Sequence, residues 1–242
     1  MLSTKKHSLD RRQLKLGVVL KAASLLVANL LSQAVIAQPD LEGIWGIDPE
    51  MFSQYSTPEF TAEGQRRHDA YDAMTDDPSY GCVPSGLSRA WDEPDTSARI
   101  EQFEDRVVIS YEMFDLVRTI ELNQNGHPIE PQPSTANLDG VPMPRLGHSI
   151  GWYDGDALMI ETIAYAAGYI TTLRRFPPQS EALRSLERIT RDDEDRLVVE
   201  ITYVDPIIYT EPLTVTNRYY RSDFPFIVYG CVPSEVEGGA HQ

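Results

Sequence analysis

The chain has 242 residues, of which 41% are hydrophobic, with 21 basic and 37 acidic side chains and a formal charge of −16. That length and apolar content support a folded domain with its own core rather than a disordered chain. The acidity excludes phosphate backbones and anionic membrane surfaces as natural partners, because like charges repel at long range.

The first residues are basic, with Lys5, Lys6, Arg11, Arg12 and Lys15 opposed only by Asp10. An apolar run from Leu16 follows, ending in Val35-Ile36-Ala37, with Gln38-Pro39 after it. A basic region, an apolar stretch and small residues at −3 and −1 predict a secretory signal over 1–37, cleaved after Ala37. Lys21, Asn29, Ser32 and Gln33 interrupt the run, against the roughly 20 apolar residues of a spanning helix. No membrane insertion is therefore expected after cleavage. Asp10-Arg11-Arg12-Gln13-Leu14-Lys15 resembles a twin-arginine export signal, and a general secretory signal reads the same residues equally well. Either route predicts a periplasmic or secreted bacterial protein.

The first 37 residues hold six of the basic groups and one acidic group, so the remainder carries 15 against 36, a charge of −21. All 15 are arginine. Two cysteines remain, Cys82 and Cys231. An even pair in an oxidising compartment most simply forms one disulfide. Closing so long a loop stabilises by about 4–5 kcal/mol in the chain-entropy model.

Residues 38–96 read as a first strand followed by a polar loop and short-helix segment packed on the main domain. Thr57-Pro58-Glu59-Phe60-Thr61-Ala62-Glu63-Gly64-Gln65 has the form of a capped helix continuing toward Tyr71. Residues 97–233 read as antiparallel β structure, and 234–242 as a flexible tail. Alternating segments are Ile100–Phe103, Arg106–Tyr111, Val117–Leu122, Ser149–Tyr153, Ala157–Thr162, Leu183–Thr190, Leu197–Tyr203, Leu213–Tyr220 and Phe226–Tyr229. Turns such as Glu104-Asp105 and Asp154-Gly155-Asp156 separate them, as in hairpins. The pattern predicts a mainly β fold, an antiparallel barrel or curled meander of about 8–9 strands, with a β-sandwich as the alternative.

Leu41-Glu42-Gly43-Ile44-Trp45 resembles the Gly-x-Trp of lipocalins, where a late-strand arginine packs on the tryptophan ring. Arg218 is the partner that resemblance suggests. A wider resemblance is to a family of uncharacterised exported bacterial lipocalin-like proteins. It rests on Thr61-Ala62-Glu63-Gly64-Gln65, Asp76-Asp77-Pro78-Ser79, Cys82-Val83-Pro84-Ser85-Gly86 and Gly147-His148-Ser149-Ile150-Gly151-Trp152. Ser180-Glu181-Ala182-Leu183, Glu187-Arg188 and Asp205-Pro206 extend it. The resemblance implies a shared β-barrel fold and carries no activity.

Chemistry-bearing side chains concentrate between His148 and Tyr169. His148 suits general acid–base work when a carboxylate orients it, and Asp156, Glu161 and Glu181 are the candidates. Trp152, Tyr165, Tyr169, Tyr203 and Arg184 are expected to line a ligand cavity, since tyrosine walls suit an aromatic molecule carrying one or two polar groups. A metal site would gather His127, His148 and Glu181, but no short ligand spacing supports one, and no cofactor is predicted. Nucleotide-binding, kinase and serine-hydrolase motifs are missing from the sequence. The sequence thus predicts an exported protein binding a small hydrophobic or aromatic molecule in a β-barrel cavity. The alternative is an acid–base enzyme, such as a lyase, hydratase, isomerase or cyclase, using the same cavity.

Overall fold

A computed structural model describes residues 38–47, 54–172 and 176–233. The chain divides into two units, Met1–Ile36 and Ala37–Gln242, and every described residue belongs to the second. The expected signal segment and the tail at 234–242 lie outside the described residues.

The strands are β1 (Gly43–Ile47), β2 (Gln54–Tyr55), β3 (Ser97–Gln102), β4 (Arg106–Tyr111) and β5 (Leu116–Leu122). After them come β6 (Thr135–Asn137), β7 (His148–Asp154), β8 (Ala157–Ile163), β9 (Gly168–Tyr169) and β10 (Pro178–Gln179). The last three are β11 (Arg184–Arg191), β12 (Leu197–Val204) and β13 (Leu213–Arg221). Two short helices, α1 (Ala62–Asp69) and α2 (Leu87–Trp91), lie between β2 and β3.

Nine strands close a ring in the order β1-β3-β4-β5-β7-β8-β11-β12-β13, and β13 returns to β1 with Trp45 opposite Arg221. The fold is therefore mainly β and a closed barrel, consistent with a lipocalin-like outline. Its neighbours are antiparallel except β5 and β7, which run parallel with Glu121 opposite Ile150. A parallel pair needs a crossover, and here residues 123–147 supply it, laying β6 against β5 on the way back. Outside the ring, β2 continues the β1 edge along β13, and β9 pairs with β10.

Period-two alternation sorts the side chains. Inward positions include Val107, Ile109 and Tyr111 on β4, Leu116, Arg118 and Ile120 on β5, and Leu197, Val199, Ile201 and Tyr203 on β12, all at most 1% exposed. One central core results, with α2 completing it, because all five α2 residues are buried. Helix α1 lies within the expected segment but starts at Ala62 rather than near Thr57: Thr61 caps it by accepting from the Gly64 amide, 3.0 Å away. Among the described residues no helix is long and apolar enough to cross a membrane.

Two expectations change. Phe226–Tyr229 is not a strand, because Pro225 lacks an amide and the β13 edge is already taken by β1 and β2. The segment instead forms a strap held by carboxylates: Glu112 accepts from Ile227 N (2.7 Å), and Asp115 from the amides of Tyr229, Gly230 and Cys231. The Cys82–Cys231 disulfide ties its end. The arginine over Trp45 is Arg221, 4.8 Å from the ring, not Arg218. Arg218 is one residue out of phase and faces outward, whereas Arg221 is the register partner of Trp45.

Candidate functional site

Inside the barrel, polar side chains meet at inward strand positions. Arg118 and Glu187 are both 0% exposed and form an ion pair, with Nη2 2.5 Å from Oε1 and Nη1 3.0 Å from Oε2. Arg118 also donates to Ser149 and Thr162, whose hydroxyls lie 3.0 Å apart. The second Glu187 oxygen accepts from Trp91 Nε1 on α2 at 3.1 Å. A charge pair this deep survives only because nearly every polar atom is engaged. Burial opposes the Arg118 charge, but Glu187 outweighs it and holds the guanidinium protonated well above its ordinary range.

Around that pair stand four buried phenols. Tyr165 bonds Ser185, Tyr203 bonds Ser88 at 2.7 Å, and Tyr219 donates to the Trp91 carbonyl at 2.6 Å. Tyr111 meets the Trp91 ring edge-on at 5.0 Å, and Tyr219 meets the same ring at 5.6 Å. Burial is the largest effect on all four, and it pushes their phenols well above the ordinary range. They are uncharged at neutral pH. Among the described residues, the Tyr111 hydroxyl and both amide atoms of Asn217 have no hydrogen-bond partner of normal geometry, although they approach Arg118 and Tyr219 and these residues are 1% and 0% exposed. Asn217 is one inward position before Tyr219 on β13.

Helix α2 seats this chamber. Besides Ser88 and Trp91, its following residue Asp92 accepts from Tyr55 OH at 3.1 Å. Gly86, just ahead of the helix, runs against the backbone of β9, where a Cβ would come within 2.4 Å of the Tyr169 carbonyl oxygen.

A second cluster stands on the outer wall. Ser149 and Thr162 point inward to Arg118, so their neighbours His148 and Glu161 point outward. Gly147 turns the chain into β7 at φ +68°, where a Cβ would also strike the Ile163 carbonyl oxygen at 2.5 Å. His148 Nδ1 lies 2.8 Å from Nδ1 of His127, which arrives from the β5–β6 connection. His127 Nε2 faces Glu161 Oε2 at 3.5 Å, and its side chain is 10% exposed. Burial lowers both imidazole pKa values; Glu161 pulls His127 back up, Arg184 pushes it further down, and His127 lowers His148. Two nitrogens at this distance share one proton. If His127 keeps its Nε2–H toward Glu161, His148 donates through Nδ1 and carries its lone pair on Nε2.

The expected site residues are thus divided. Tyr165 and Tyr203 are in the lumen. His148, Glu161, Trp152 and Arg184 are on the outer face, with His148 and Glu161 both meeting His127. Asp156 occupies the β7–β8 turn, 82% exposed, 3.2 Å from Arg188. Glu181 is exposed in the turn before β11, and Tyr169 is half-buried beside the Tyr71 ring, 4.6 Å away. These residues do not share one cavity. No motif singles out Arg118, Glu187, Tyr111 and Asn217 as site residues, although each is in phase with the apolar inward positions of its strand. Among the described residues no three His, Cys, Asp or Glu groups converge as metal ligands.

No family model matches this chain, and neither does any curated protein.

Proposed function

We propose that the protein binds a small, uncharged aromatic molecule carrying a hydrogen-bond donor and acceptor, in the barrel lumen beneath α2. One observation carries the reading: among the described residues, the Asn217 amide and the Tyr111 hydroxyl are buried polar groups that approach Tyr219 and Arg118 without reaching the geometry of a normal hydrogen bond. Each such group costs about 1–3 kcal/mol when left unpaired. A ligand with an amide-like or phenolic edge offsets that cost, with Trp91, Tyr111 and Tyr219 as aromatic walls. Arg118 and Glu187 neutralise one another, which leaves no countercharge for an ionic ligand.

Helix α2 covers this chamber through the Ser88–Tyr203 and Trp91–Glu187 hydrogen bonds, so in this reading a ligand enters when α2 withdraws and those bonds break. Binding is preferred to acid–base catalysis in the lumen because His148 and Glu161 stand outside the wall. Export with cleavage after Ala37, a periplasmic or secreted location and membership of the exported lipocalin-like family belong to the same proposal. The Cys82–Cys231 disulfide is compatible with them.

Native mass spectrometry of protein released from its own cells tests the reading. The expected result is a bound organic molecule in the wild type that is lost in Asn217→Leu. Ligand-free wild-type protein that also takes up no aromatic amide or phenol from a screened library contradicts it.

A further inference from the structure

We infer that His127 and His148 form a binding site for a divalent transition metal ion, Cu2+ ahead of Zn2+, on the outer wall of the barrel, with Glu161 as a positioning carboxylate. The site is separate from the lumen, because His148 and Glu161 sit on the face of β7 and β8 opposite the Arg118 partners Ser149 and Thr162.

Three observations carry it. First, the two Nδ1 atoms approach to 2.8 Å with their rings inclined at 69°. Two nitrogens bound to one metal at about 2.0 Å, with a right angle between them, lie about 2.8–2.9 Å apart, whereas a tetrahedral site needs about 3.3 Å. The spacing therefore fits square-planar copper before zinc. The metal takes the place of the one proton the imidazoles share, displaced to the side of the line between them.

Second, among the described residues His127 Nε2 is buried with no hydrogen-bond partner of normal geometry, and the Glu161 carboxylate is within ion-pair range. A carboxylate behind one ring nitrogen, with the other nitrogen toward the metal, is the arrangement that fixes the tautomer and raises ligand basicity. Arg184 opposes added positive charge at His127, and Glu161 offsets it.

Third, the imidazoles are held before any metal arrives. His127 is nearly buried, and it holds the half-buried His148 ring against it at the start of β7. Since no third protein ligand converges among the described residues, water completes the coordination. The site is open to an exogenous ligand. Affinity for imidazole nitrogen rises to Cu2+ and falls at Zn2+, which agrees with the spacing.

Electron paramagnetic resonance of untagged, metal-free protein titrated with Cu2+ tests this. The expected result is one equivalent bound per chain, with hyperfine structure from two imidazole nitrogens. His127→Ala/His148→Ala abolishes that signal, while circular dichroism shows the barrel intact. Glu161→Gln keeps the spectrum but weakens binding about 10–100-fold. A wild-type spectrum without two coupled imidazoles overturns the inference whatever the variants do. So does copper binding unchanged in the double variant, which would move the ion elsewhere, for example to His68 or His241.

Discussion

Glu187→Leu strands the Arg118 guanidinium in a fully buried place. The wild-type carboxylate accepts two bonds from Arg118 and one from Trp91 Nε1. Removing one partner of a buried pair costs about 3–5 kcal/mol, since the other charge has no water to turn to. For a domain of this size that lowers Tm by about 6–20 °C. Arg118→Met alone leaves Glu187 uncompensated and costs a similar amount. The double variant removes both charges, and Ser149 and Thr162 keep their mutual bond, so it costs about 1–2 kcal/mol, chiefly for the orphaned Trp91 N–H. Urea unfolding followed by near-ultraviolet circular dichroism gives all four stabilities. The cycle should yield a coupling of several kcal/mol, and additive single effects would refute the buried pair.

Asn217→Leu is expected to stabilise the ligand-free protein by about 1–3 kcal/mol, because it removes a buried amide that makes no hydrogen bond of normal geometry among the described residues; denaturant midpoints check the sign, and destabilisation would mean that the amide is satisfied, for example by Tyr219. Alkali should unfold the barrel. The phenols of Tyr111, Tyr165, Tyr203 and Tyr219 are raised by burial, so their contribution is complete below the ordinary value of 10.0 and is lost as pH rises above it. Their phenolate absorbance in the near ultraviolet should appear together with loss of the tertiary signal, not before it. Reduction of Cys82–Cys231 opens a link spanning 149 positions and should cost about 5 kcal/mol in the chain-entropy model. The strap should then become the first site of proteolysis, which timed digestion with mass mapping would show.

The hairpins from β3 to β5 and from β7 through β13 are legible because alternation and acidic or glycine turns coincide, as at Asp154-Gly155-Asp156. The parallel β5–β7 contact is not, since no alternating segment falls between Leu122 and Ser149 and nothing local reports where a crossover lands. Phe226–Tyr229 alternates like a strand, yet Pro225 and an occupied β13 edge leave it no partner. The site is partly legible. Tyr165 and Tyr203 fall on inward phases, and Glu187 is in phase with Leu183 and Ser185. Arg118 escapes notice because a charge within Leu116-Val117-Arg118-Thr119-Ile120 reads as an outer residue until its phase is compared with Leu116 and Ile120. His148 reads as an acid–base residue of the cavity, whereas its neighbour Ser149 takes the inward position. The carboxylate meeting the histidine pair is Glu161, on the strand beside His148, rather than Glu181, because cross-strand pairing puts Ile150 opposite Glu161 and leaves Glu181 in a turn.

Lumen binding is decided by a high-resolution crystal structure of protein purified from its native source. Density for a non-protein organic molecule is expected within hydrogen-bond reach of the Asn217 amide and the Tyr111 hydroxyl, with α2 displaced around it. Those two groups bonded to protein atoms, or bridged by a single buried water in a closed barrel, would mean that the lumen holds no such ligand.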